Sequence, residues 1–210
     1  MQRVKHLLAG IASAVPYMIL VWTLIQVWVS PMSVSDGLWV RYAVGLMALE
    51  FIILHSGGFM GAMAASTESL KKRAQAFFGL FMLYSLFAYG FAKMVDSFQI
   101  LYVYGFIMLG RFITIMIASG EGKSQILNRS AFGTMVYMTA VFGTLFIPVP
   151  ELGVTHDVLE QVYPDRRGGE WEQNPEIAIA AGIFYFSVLA LYELYLAWRM
   201  PEASNAATER

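Results

Sequence analysis

Four ionisable side chains stand inside long apolar runs of this chain: Glu50, His55, Arg111 and Glu193. An ionisable group surrounded by hydrocarbon is costly, so it is expected to pair, to face a helix-bundle interior or to line a polar path. Glu50 falls near the middle of its run. At about 100° per residue, Ala43, Gly57 and Gly61 lie nearly in line with it on a helix. That stripe is three small residues and one acid. Small residues let a second backbone approach closely, so the acid sits where a helix crossing or a narrow polar path would form. The structural alternative is a packing seam whose acid pairs with an arginine. His55 points roughly 140° away from Glu50 on the same wheel, so the two would meet only through a third group. A histidine titrates near neutrality and could relay protons; its plainer role is a hydrogen-bonded packing residue beside Ser56.

Arg111 needs a counter-ion or a path for its guanidinium to water. Glu50 and Glu193 are the acids at similar depth, and the expectation is a charge cluster of Glu50, Arg111 and Glu193 with His55 nearby. As a structural element, the same group would be a buried ion pair fixing helix register. Toward the other side, Lys93 and Asp96 read as an interfacial pair or the lining of an outer entrance. His156, Asp157 and Glu160 have spacing that a metal could use, but such spacing is common in solvated loops, and no metal site is assigned. Gly57, Gly58 and Gly61 read as helix-packing or hinge positions, with Gly57-Gly58 a place where a helix could break and free backbone groups for a site.

The elements that must position these residues follow from the apolar runs. The chain is 58% hydrophobic and 14% charged, against about 45–50% and about 25% in soluble domains. A membrane-spanning helix needs roughly 20 mostly apolar residues. Six runs satisfy this, at about 7–29, 38–62, 74–95, 98–118, 130–148 and 176–198. The expectation is an all-α integral membrane protein: one domain over 1–200, a six-helix bundle, and a disordered cytoplasmic tail over 201–210. Pro16 is expected to kink the first helix. Asn174-Pro175-Glu176 is a start signal for the last, with a capping residue, a proline at the first helical position and an acid at the positive helix end.

Orientation follows from Lys and Arg placement. With the N-terminus inside, nine of the 14 fall on inner segments and four on outer ones, with Arg111 inside a span. An even span count then puts both termini in the cytoplasm. The apolar run after the basic start, from Leu7 to about Val29, is too long for a cleaved signal and reads as a first span. Loops are short except 149–175, where Val158, Leu159 and Val162 share a face of a short amphipathic helix expected to lie on the outer surface. Trp22, Trp28, Trp39, Trp171 and Trp198 are candidates for the interfacial aromatic belt. The expected location is a cell membrane, of prokaryotic inner-membrane type.

Several functions are excluded or left open. The net charge of −1 offers no basic patch for nucleic acid. Without cysteine there is no disulfide, thiolate metal site or cysteine nucleophile. No nucleophile–base motif, H-E-x-x-H or phosphate loop is present, so an enzyme is not the expected reading. No cofactor is expected either: haem in a membrane cytochrome asks for paired histidines, and His6, His55 and His156 lie at different depths. A haem-binding membrane redox protein is the third-ranked reading, behind two classes. One is a small transporter or channel coupled to ions or protons through the intramembrane charges. The other is an accessory or assembly subunit of a larger complex, with other membrane subunits or a homo-oligomer as partners beside the lipid. Phe77, Phe78, Phe81 and Tyr84 read as lipid-facing or packing surface. Tyr84, Tyr89, Tyr102, Tyr104, Tyr137 and Tyr185 are candidates to line a polar cavity. Six spans and a kinked first helix rich in small residues (Ala9, Gly10, Ala12, Ser13, Ala14) resemble, in topology alone, the vitamin-binding subunits of energy-coupling transporters. That resemblance implies docking of an external ATPase module through such a helix.

Overall fold

The computed structural model describes residues 2–65, 69–94, 96, 98–117, 121–164, 166 and 168–208, with the side chains of a subset of these, Arg111 and Gly61 among them, outside the described residues. Among the described residues the structure is all-α. Eight α-helices run in order: α1 Gln2–Val29, α2 Leu38–Ala65, α3 Leu70–Met94, α4 Gln99–Ile117, α5 Glu121–Phe146, α6 His156–Val162, α7 Glu170–Gln173 and α8 Pro175–Thr208. Two single 3-10 turns, Pro31–Ser33 and Ser35–Gly37, join α1 to α2. Four helices are long and apolar enough to cross a membrane, over Gly10–Val29, Ser35–Phe59, Lys71–Lys93 and Pro175–Arg199. The structure therefore carries four candidate spans where the sequence reading drew six; α4 and α5 are helical but do not meet that criterion over their described residues.

The chain divides into two compact units, one of residues 1–40 with 140–210 and one of residues 41–139. The first is organised on α1 and α8. A Cβ added to Gly10 would collide with Ala197 and lie 3.3 Å from the Glu193 carbonyl oxygen, and further along the pair Tyr17 stacks on Phe186 at 6.2 Å. As α1 advances from residue 10 to 17, its contacts on α8 retreat from 197 to 186, so the helices are antiparallel. Ala14, Leu24 and Val27 on one side and Ala178, Ile179, Ala181 and Phe186 on the other are fully or almost fully buried. Small residues make this close approach available to van der Waals packing, the main attraction between helices in lipid. Pro16 lies inside α1, which stays one continuous helix from Gln2 to Val29. The helix α8 continues past Pro201 to Thr208.

The segment after α5 closes over one end of this unit. The Trp28 indole N–H donates to the Pro150 carbonyl at 2.8 Å, and the Gly153 N–H donates to the Trp28 carbonyl at 2.9 Å. At Gly153 a side chain would run into the Val29 carbonyl, so the residue must be small. The short helix α6 exists where the apolar face of residues 158–162 placed it, but its face is not spread on a lipid surface. Leu159 is buried, and Val162 lies on Gly37, whose φ of +82° only a glycine adopts freely. The 3-10 turn offers α6 an apolar seat inside the protein, and docking there removes that surface from water as effectively as lipid would.

In the second unit α3 and α4 form an antiparallel hairpin. Phe81 stacks on Tyr104 at 5.9 Å, Phe77 meets Phe112 at 5.0 Å, and the Tyr104 hydroxyl donates to the Phe81 carbonyl at 3.1 Å. The turn passes through Asp96 with φ +50°, a conformation Asp tolerates better than most residues. Leu49 and Ile52 of α2 complete the core with Phe77, Ala88, Tyr104 and Met108. The helix α2 runs unbroken from Leu38 to Ala65. Gly57-Gly58 therefore does not interrupt it, and the helix continues across both glycines.

Candidate functional site

The expected site lies along α2, and the structure distributes its members unevenly. Ala43 and Gly57 are buried and Glu50 is half-buried, so the small-residue stripe does face protein around the acid. A Cβ built at Gly58 would meet nothing within 4 Å, placing that glycine off the seam. Gly61 and the Arg111 side chain fall outside the described residues, so the Glu50–Arg111 pairing has no geometry to report.

What the second unit does bring to Glu50 is Tyr137 of α5. The phenol donates its proton to the Met47 carbonyl at 2.7 Å, and the bond is buried. The Glu50 carboxylate is near enough for its charge to act on that phenol. Phe51 stands beside both groups. Its ring lies 6.2 Å from the Tyr137 ring and 4.2 Å from the His55 imidazole. The helical wheel requires a third group if Glu50 and His55 are to share a neighbourhood, and Tyr137 with Phe51 supplies one. Tyr137 stood among six tyrosines with polar potential; nothing in the sequence pairs it with α2, because the contact spans 90 positions.

The His55 imidazole is half-buried beside the Phe51 ring. The Ser56 hydroxyl turns back to the Ile53 carbonyl at 3.0 Å. The His55 Nδ1 is buried without a hydrogen-bond partner among the described residues. Leaving a buried nitrogen in that state costs about 1–3 kcal/mol.

Glu193 belongs to the first unit. It is half-buried on the turn of α8 that faces Gly10. At the α3–α4 turn, Lys93 sits over the Phe98 ring, 5.1 Å from its centroid, and Asp96 is exposed. A cation–π contact competes well with an exposed ion pair at a wet interface.

The polar residues of the long loop serve the first unit. Arg166 donates to Glu160 at 2.8 Å and to the Tyr163 carbonyl at 3.2 Å. The buried Tyr163 hydroxyl donates to the buried Glu172 at 3.2 Å. His156 is 3.7 Å from Glu160, but that carboxylate is already taken by Arg166. Among the described residues no group of three or more His, Cys, Asp or Glu is placed to hold a metal ion.

Compared with protein-family models, curated proteins and solved structures, the chain finds no match. Its class therefore rests on its own helices. Four apolar helices of membrane-crossing length, in an all-α fold, define a small multi-pass helical membrane protein in contact with a lipid bilayer.

Proposed function

We propose that this protein is a small six-span transporter or channel, with proton or cation coupling through Glu50. Helix parity supports the six spans. Antiparallel contact between α1 and α8 puts the two termini on one side, which asks for an even number of crossings. Because α4 lies antiparallel along the candidate span α3, it returns through the same slab, and parity then requires α5 to cross as well. A 19-residue α4 covers about 29 Å at 1.5 Å per residue, close to the hydrocarbon thickness. The excess of Lys and Arg on the inner segments supports cytoplasmic termini in a cell membrane.

The observation that carries the functional reading is the half-buried Glu50 midway along α2, with Tyr137 in electrostatic reach and the unpartnered His55 Nδ1 beside the same Phe51. A carboxylate and an imidazole separated by aromatic groups can each take and release a proton, and Arg111 is the cation whose position would set the balance between them. Purified protein in liposomes with a trapped pH-sensitive dye tests this directly. Wild-type protein should dissipate an imposed pH gradient, with or without Na⁺ or K⁺, and Glu50→Gln should slow that flux at least about tenfold while leaving the fold intact. Wild-type flux no faster than empty liposomes would remove the proposal.

One observation favours a second reading, an accessory subunit. Tyr102, Phe106, Leu109 and Ile113 of α4 repeat at spacings of four, three and four residues and are 79%, 79%, 57% and 50% exposed. A large apolar stripe of that period suits a partner helix. Stable copurification of one fixed membrane partner, lost on Phe106→Ala, would favour it over transport.

A further inference from the structure

The α3–α4 hairpin carries a feature that the proposed coupling site does not use. An apolar groove of about 470 Å³ opens along it, lined by Ala74, Phe77, Phe78 and Phe81 of α3 and by Gly105, Met108, Leu109 and Phe112 of α4. Along α3 the lining spans seven residue steps, about 10 Å of helix. Every lining residue is apolar, so nothing in the groove could hold a polar solute.

The mouth is different. The residues just before Ala74 are Lys71, Lys72 and Arg73, of which both lysines are exposed and Arg73 is half-exposed. On the α3 wheel the groove faces the mean direction of Ala74, Phe77, Phe78 and Phe81. Lys71 lies about 70° to one side of that direction and Arg73 about 90° to the other, while Lys72 points away. Two cations therefore flank the groove-lining face of α3 just before Ala74, at one end of the hydrocarbon slot. The complementary ligand has a negative head and an apolar tail, and in a bilayer that description fits an anionic lipid. Basic residues at the inner end of a span are attracted to anionic headgroups by roughly 1 kcal/mol each, which is about fivefold in occupancy per cation. A partner helix would fill the slot without using the flanking charges, whereas an anionic lipid uses both.

We propose that the α3–α4 groove is a binding site for an anionic phospholipid. The headgroup phosphate lies between Lys71 and Arg73, and one acyl chain lies against Phe77, Phe78, Phe81, Met108 and Phe112. Arg73 already has an interaction within the protein; the site requires only that its charge stay at the mouth. This inference is independent of Glu50 and of whether the protein transports anything.

Two variants separate the halves of the site. Lys71→Gln with Arg73→Gln removes the charge and leaves the slot. Gly105→Leu fills the slot and leaves the charge; a Cβ at Gly105 meets nothing within 4 Å, so the larger side chain has room. The measurement is native mass spectrometry of the full chain released from nanodiscs of equal phosphatidylglycerol and phosphatidylcholine. Wild-type protein should retain phosphatidylglycerol at least about tenfold over phosphatidylcholine. The double variant should fall to near parity, and Gly105→Leu should lose most retained lipid of either kind. Equal retention of both lipids by wild-type protein overturns the proposal, as does undiminished preference in the double variant. If Gly105→Leu instead dissociates a dimer and leaves lipid retention unchanged, the groove is an interface between copies and the lipid assignment is wrong.

Discussion

The two compact units of this chain treat polarity in opposite ways. In the first, built on α1 and α8, the loop segment pairs its polar groups: the buried Tyr163 with Glu172, and at exposed positions Trp28 with the Pro150 carbonyl and Arg166 with Glu160. Gly10 and Gly153 sit where a side chain would strike a neighbour, while Gly143 and Gly169 of the same unit have open space around them. In the second, α2 carries a half-buried acid and an imidazole nitrogen without a partner, and the glycines at 58, 79, 90, 105 and 110 have open space around them. The loop of the first unit finds partners for these groups within protein. The other unit holds one imidazole nitrogen, His55 Nδ1, buried without a hydrogen-bond partner among the described residues, which costs free energy. A scaffold and a working region differ in this way, which is why the proposed coupling site is placed on α2 and not on α8.

That contrast can be broken by substitutions matched across the units. The largest effect is expected at Gly10→Val, which forces α1 away from Ala197; it should destabilise the protein by about 3 kcal/mol in reversible unfolding in mild detergent. Glu172→Ala comes next, at about 2 kcal/mol in the same measurement, because it deprives the buried Tyr163 hydroxyl of its acceptor. Tyr137→Phe in the second unit removes one hydrogen bond to the Met47 carbonyl and should cost only about 0.6–1 kcal/mol, while altering the pH dependence of any proton flux that Glu50 supports. Gly58→Ala is the smallest, within about 1 kcal/mol of wild type and more often stabilising, since the helix gains propensity and nothing is displaced. If Gly10→Val and Gly58→Ala prove equal, the contrast between a packed seam and an open one fails. If Tyr137→Phe destabilises as much as Glu172→Ala while leaving flux untouched, Tyr137 is scaffold and the coupling reading weakens.

The outcome at α6 shows how far pattern alone reaches. Val158, Leu159 and Val162 had to share one face of any helix formed there, and the helix forms over His156–Val162. Its seat was illegible, because lipid and the Gly37 turn are equally apolar and amphipathicity records only that a face is buried. At Gly57-Gly58 the sequence offered a break that the structure does not use, since two glycines lower helix propensity by only about 1 kcal/mol each, less than the cost of freeing backbone groups in a bilayer. The small residues of α1 followed the same rule: Gly10 and Ala14 are buried, Gly10 against Ala197 of α8, whereas Ala12 and Ser13 on its other face are exposed.

The sequence by itself determined the class of protein and where its costly residues lie. Long apolar runs leave helices as the only structures that satisfy their own backbone in lipid, and that constraint is local enough to read directly. Tertiary structure alone decided which side chains those residues meet. That Tyr137 comes to Glu50 and Met47, that Phe51 joins His55 to the same neighbourhood, and that α8 runs back along α1 all depend on contacts between residues far apart in the chain. No periodicity within one helix encodes a partner on another. A helix carries the angle of each of its side chains, but the neighbour at that angle is set by packing.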